Sequence, residues 1–237
     1  MWDDARQLNA IAVTLTVIAL AFLHPLCGAQ GKPVRDQATP PCTVTEGSIF
    51  KEARICGKSR VGSLSKPDLI VAGFTIGEST LEQVAKRFPG SHQFRLMKEM
   101  EASTGICVKT KAGNAVVFSS GDLAAPRGLD SIFIARAETF ERQGADCLEI
   151  ASLPGGPSTN SGIQLGMEKA RLLALLRIPQ AKGGSFAVDY ATSPDKAPWV
   201  SEKSKPSGKG WVAISGAYGG FRYGRLRWVV LYAGLSD

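Results

Sequence analysis

The apolar positions open in a block with no polar face. Ala10 to Leu23 is interrupted only by Thr14 and Thr16, and it is shorter than the ~20 residues a membrane-spanning helix needs. Pro25 follows, and then Cys27-Gly28-Ala29, small residues of the kind that precede a signal-peptidase cut. Residues 1–29 therefore read as a cleaved signal peptide, and the protein as periplasmic or secreted. Only Arg6 stands against Asp3 and Asp4 ahead of the block, which is atypical, and an uncleaved anchor is the alternative. His24-Pro25-Leu26 is a poor lipobox before Cys27, so lipidation is not expected.

Beyond the block the period changes. Residues 30–66 begin polar, with Pro33, Pro40 and Pro41, and read as a flexible arm carrying Cys42 and Cys56. Leu81, Val84, Ala85 and Phe88 then recur at helical spacing. Ser79 and Glu82 are placed as a capping box, and Pro89-Gly90 as the stop. Three strand-like runs follow, Ile106–Thr110, Ala115–Phe118 and Ile132–Ile134, the first two joined by a turn containing Gly113-Asn114. A second helical stretch runs from Gly166 to Pro179, apolar on most faces and so expected to be the more buried of the two. Strand signals return at Ser185–Ala191, Trp211–Ser215 and Arg225–Ala233, with Thr192–Lys209 expected as a long exposed loop.

Equating Gly77 with Gly166 superposes the two halves, and Phe74-Thr75-Ile76 matches Ile163-Gln164-Leu165. The expectation is an α+β fold of two tandem helix-plus-antiparallel-meander repeats, 67–152 and 153–237, with both helices on one face of the sheet or sheets. The string Ile76-Gly77-Glu78-Ser79-Thr80-Leu81-Glu82-Gln83-Val84, ending at Phe88-Pro89, and the string Leu165-Gly166-Met167 through Arg177-Ile178-Pro179 resemble one recurring pattern. It opens the helical part of the small outer-membrane assembly lipoproteins of the BamE/SmpA type, and its duplicated unit is similar to the β-lactamase-inhibitor proteins. The resemblance implies a non-catalytic envelope or secreted module that binds a protein through its sheet face.

Charge and cysteines narrow the partners. Without residues 1–29 the chain carries 27 cations against 19 anions. Outside the cytoplasm such a surface meets acidic proteins, glycans and lipid headgroups rather than nucleic acid. Four cysteines remain, Cys42, Cys56, Cys107 and Cys147, enough for two disulfides in an oxidising compartment. Of three possible pairings, the local one, Cys42–Cys56 with Cys107–Cys147, closes modest loops.

Catalytic groups are scarce. His92 is the only histidine after residue 29, and its Gly-Ser flank reads as a solvated loop. No catalytic residue, metal site or cofactor is expected, and the chain reads as a non-enzyme. The aromatics are more informative: all four tyrosines and three of the four tryptophans fall after residue 189. In an extended strand Phe221, Tyr223, Arg225 and Arg227 would share one face and Leu226, Trp228, Val230 and Tyr232 the other. The first set, with Tyr218, is the candidate binding strip, since Tyr and Arg dominate interface hot spots. The competing account is a core of aromatics with solvated arginines.

Overall fold

A computed structural model describes residues 59–97, 102–121, 128–153, 155–178, 184–202, 205–207 and 210–236. Residues 1–29, read above as a signal peptide, and Cys42 and Cys56 lie outside the described residues. Of those described, 47% lie in strands and 17% in helical turns.

The β-branched and aromatic runs form long strands: β4 (Gln93–Met97), β5 (Ala102–Thr110), β6 (Asn114–Gly121), β7 (Ser131–Arg136), β9 (Ser185–Thr192), β10 (Val212–Arg222) and β11 (Arg225–Ser236). Shorter pieces are β1 (Arg60–Val61), β2 (Ile70–Val71), β3 (Phe74–Thr75) and β8 (Cys147–Ile150). Nine of them make one mixed sheet in the order β1-β9-β10-β11-β7-β6-β5-β4, with β8 also paired to β5. The β1–β9 and β5–β8 pairs are parallel. Strands β2 and β3 form a separate small hairpin.

This overturns the expected pair of helix-plus-meander repeats. The chain is mostly β, and the three described α-helices are short: α1 (Leu81–Arg87), α2 (Ala137–Glu141) and α3 (Lys169–Leu175). The two sets of strands fuse where Ser131–Ile134 of β7 pairs with Val229–Tyr232 of β11. That junction buries Ile132, Ile134, Val229 and Leu231 in one core and Phe133 and Val230 in another. Separate meanders would leave two apolar edges with unpaired backbone, which the fusion removes. The likeness around Gly77 and Gly166 has a local cause. Both have positive φ, 83° and 81°, and each donates its N–H to a leucine carbonyl, Leu129 and Leu226, at 2.8 Å.

Two further expectations shift at the helices. The α1 cap is Thr80, whose hydroxyl accepts from Gln83 N at 3.3 Å while Gln83 Oε1 accepts from Thr80 N at 2.9 Å. Ser79 is unavailable as the cap because its hydroxyl accepts from Thr75 N. Helix α3 is not the more buried helix: it buries only Leu172, whereas α1 buries Leu81 and Val84.

The sheet is covered on both sides. On one side Val108, Phe118, Ile134 and Leu231 pack with Leu81 and Val84 of α1, Leu172 of α3, and Ile76 and Ile163. Phe74 stands edge-on to Phe118 with centroids 5.2 Å apart. On the other side Val117, Phe133, Ala135, Tyr218, Trp228 and Val230 pack with Phe140 of α2. The disulfide Cys107–Cys147 staples β8 to β5 on that side, one of the two bridges in the expected local pairing.

The stretch 192–209 is not simply an exposed loop. Its described part holds a 3-10 turn at Pro194–Lys196 and buries Ala197 and Trp199. The Trp199 indole donates to Ser63 Oγ at 3.2 Å and lies so close to Gly77 that a Cβ there would sit 2.9 Å from the ring. A large aromatic side chain in a polar stretch finds burial that local composition does not announce.

Candidate functional site

Strands β10 and β11 are joined by a two-residue turn, Tyr223-Gly224, closed by the pair Arg222↔Arg225. Both turn residues have positive φ, 52° and 72°, the pattern of a type I′ hairpin turn that normally takes Asn-Gly. Tyrosine is costly there, since its Cβ crowds the backbone in the left-handed region. The ring gains no burial in exchange, being 90% exposed. The Arg222 guanidinium lies 5.2 Å from its centroid.

A β-bulge lies just below the turn. Gly220 pairs with Trp228 but Phe221 pairs with Leu226, so Arg227 is an extra residue on β11. The bulge breaks strict alternation: Leu226 belongs to the main core, and Trp228 two residues later to the opposite one. The predicted strip is accordingly divided. Tyr218 is buried on the far side, edge-on to Trp228 at 6.0 Å. Phe221 is half-buried against Phe186 at 5.4 Å. Tyr223, Arg225 and Arg227 stay exposed and line one groove.

That groove, ≈ 660 Å³, lies between the hairpin tip, the Leu165-Gly166 turn and the ends of β6 and β7. Its charged lining is Arg136, Arg222, Arg225 and Arg227 against Glu138. The β7–β11 pairing, which ends at Val229↔Ile134, brings Arg227 and Arg136 to one groove, and Arg136 itself pairs with Asn114. Arg136 Nη1 donates to the Ala112 carbonyl and to Asn114 Oδ1 at 3.1 Å. Arg225 Nη1 donates to the Gly166 carbonyl at 3.0 Å. These bonds to neutral oxygens orient two guanidiniums without neutralising them.

Carboxylates neutralise the cluster only loosely. Glu138 lies 3.8 Å from Arg136 and Glu168 lies 3.6 Å from Arg225, with both glutamate side chains about 70% exposed (71% and 70%). Ion pairs this open and long are worth roughly 0–1 kcal/mol. Arg222 and Arg227 have no carboxylate partner among the described residues. The hairpin pairs Arg222 with Arg225, so cations gather at this end of the sheet beside only loosely held carboxylates. The site is thus positive, partly preorganised and suited to bidentate oxyanion contacts.

Arg136, Asn114, Glu138 and Arg222 were not part of the predicted strip. Arg222 had a local signal, its place beside the turn. The other three reach the groove only through the β7–β11 pairing, which no local pattern encodes. His92 is exposed in the connection between α1 and β4, away from this lining. Comparison with known proteins finds no matching family, no matching curated protein and no matching solved structure.

Proposed function

We propose that this protein is an exported, non-catalytic binding module of the cell envelope, an inhibitor or assembly accessory that holds another protein at the tip of the β10–β11 hairpin. The observation that carries this reading is an exposed tyrosine kept at a costly turn position beside four arginines lining one groove. The tyrosine strains the turn, and the four arginines outnumber the loosely held carboxylates beside them. An aromatic flanked by arginines is the usual make-up of a protein-binding hot spot.

Immobilised protein tests this against a native envelope extract. Replacing Tyr223, Arg225 and Arg227 together by alanine is expected to abolish capture of the partner while the melting temperature stays within a few degrees. Capture that survives the triple change removes the hairpin tip from the function. A second reading, an anionic glycan or lipid headgroup as ligand, draws on the same excess of arginine. Capture of such a ligand falls steeply between low and high salt, whereas a contact anchored on the Tyr223 ring persists.

A further inference from the structure

We infer that the groove receives an extended acidic peptide segment of the partner, with carboxylates on either side of an apolar residue. The inference rests on the protein-binding reading above and names the chemistry that the same site would recognise. Three observations carry it.

The first is the choice of cation. The charged bases lining the groove are all arginine, in a chain whose 28 basic residues include many lysines. Arginine presents a planar fork that matches a carboxylate with two parallel hydrogen bonds, and lysine does not. The second is the pair of resident glutamates. Glu138 and Glu168 each stand beyond hydrogen-bond reach of an arginine they face, at 3.8 and 3.6 Å. They mark two places where a better-seated carboxylate would displace a weakly held one.

The third is shape and lining. A second depression of ≈ 410 Å³ shares Leu165, Gly166 and Arg225 with the groove and extends it toward Arg171. A path with cations at both ends and in the middle suits a chain rising about 3.3 Å per residue better than a single compact anion. Between the cations lies the half-buried Leu165, which packs against the main core. Leu165 offers an apolar side chain a contact that a sulfated sugar has no group to fill.

The intact protein is titrated with an end-blocked peptide containing Glu-Leu-Glu-Leu-Glu and with its Gln-Leu-Gln-Leu-Gln counterpart, followed by calorimetry. Inorganic phosphate, a sulfated oligosaccharide and phosphatidylglycerol vesicles are run alongside. The glutamate peptide is expected to bind at least tenfold more tightly than the glutamine peptide or any of the other three probes. Arg227→Gln, at an exposed bulge position, should weaken it about tenfold with an unchanged melting curve. The double change Glu138→Gln with Glu168→Gln should tighten it severalfold, because two internal competitors are gone. Equal binding of the two peptides, tighter binding of sulfated sugar or vesicles, or weaker binding after loss of the two glutamates each overturns the inference. If the peptide fails while the Tyr223, Arg225 and Arg227 triple still abolishes envelope capture, the carboxylate assignment falls and the protein-binding reading stands. If capture also survives the triple, both fall.

Discussion

Replacing Tyr223 by asparagine should make the protein more stable while weakening the proposed partner contact. The residue occupies the first position of a two-residue turn at φ 52°, where a non-glycine side chain costs about 1–3 kcal/mol. Asparagine relieves most of that cost, because its short polar side chain tolerates the left-handed region and favours type I′ turns. Little is lost in exchange. The ring is 90% exposed, so no apolar burial disappears, and the stacked Arg222 at 5.2 Å is worth roughly 0.5–1 kcal/mol at an exposed site. The balance is a gain of about 1 kcal/mol, or about 2–4 °C in Tm for a protein of this size.

Thermal melts and urea titration read the effect, with the midpoint rising at constant m-value. Tyr223→Ala separates the two contributions. It discards the ring but keeps a side chain poorly suited to the turn, so it should show no gain over the parent. The asparagine variant should lie about 1 kcal/mol above it. An asparagine variant no more stable than the parent would refute the reasoning, since Tyr223 would then be held by contacts its exposure does not reveal.

Three other predictions rest on separate parts of the fold. Opening the Cys107–Cys147 bridge by serine substitution frees a connection of 40 residues, for which chain entropy gives about 4 kcal/mol; a loss under about 1 kcal/mol by urea melting would contradict this. Trp199→Ala should cost about 3–5 kcal/mol by removing a buried ring from a polar stretch, while Trp199→Phe loses chiefly the bond to Ser63, about 1 kcal/mol. Burial holds the Tyr190 phenol above its usual value of 10.0, and its hydroxyl donates to the Leu176 carbonyl. The folded state therefore keeps that proton longer than the unfolded chain. The resulting stability is complete below pH 10 and is lost as pH rises through the folded-state value. Tyr190→Phe should flatten this alkaline decline, and a difference titration at the tyrosinate absorbance should show the missing group ionising above pH 10.

Much of the local structure was legible because its causes are local. Val116, Val117 and Phe118 and the run Trp228 to Leu231 are β-branched or bulky apolar residues, and both become strands. Glycine at 77 and 166 marks turns because both positions need positive φ. The α1 stripe of Leu81 and Val84 forms the expected helix, with its cap displaced by one residue. Assembly was not legible. Which strand edges fuse depends on apolar surfaces meeting far apart in sequence, as Ile134 meets Val229. Nor does a polar stretch reveal that Trp199 will find a cavity over Gly77.

The candidate site was half legible for the same reason, and Arg227 is where the reading divides. Strict alternation requires Leu226 and Trp228 to share a face, and the bulge sends them to opposite cores. Both side chains are too large to leave in water, and a regular strand would give them one core to share. One extra residue gives each its own, with Trp228 against Tyr218 and Leu226 in the main core. A Cβ at Gly220, the residue paired with Trp228, would meet the indole, so glycine there is what lets the ring settle. Arg227 is left over from that arrangement, exposed and lining the same groove as Arg136. The cation cluster is thus built by the packing of the two cores, and a change at Gly220 or Trp228 should disturb the groove without touching any residue that lines it.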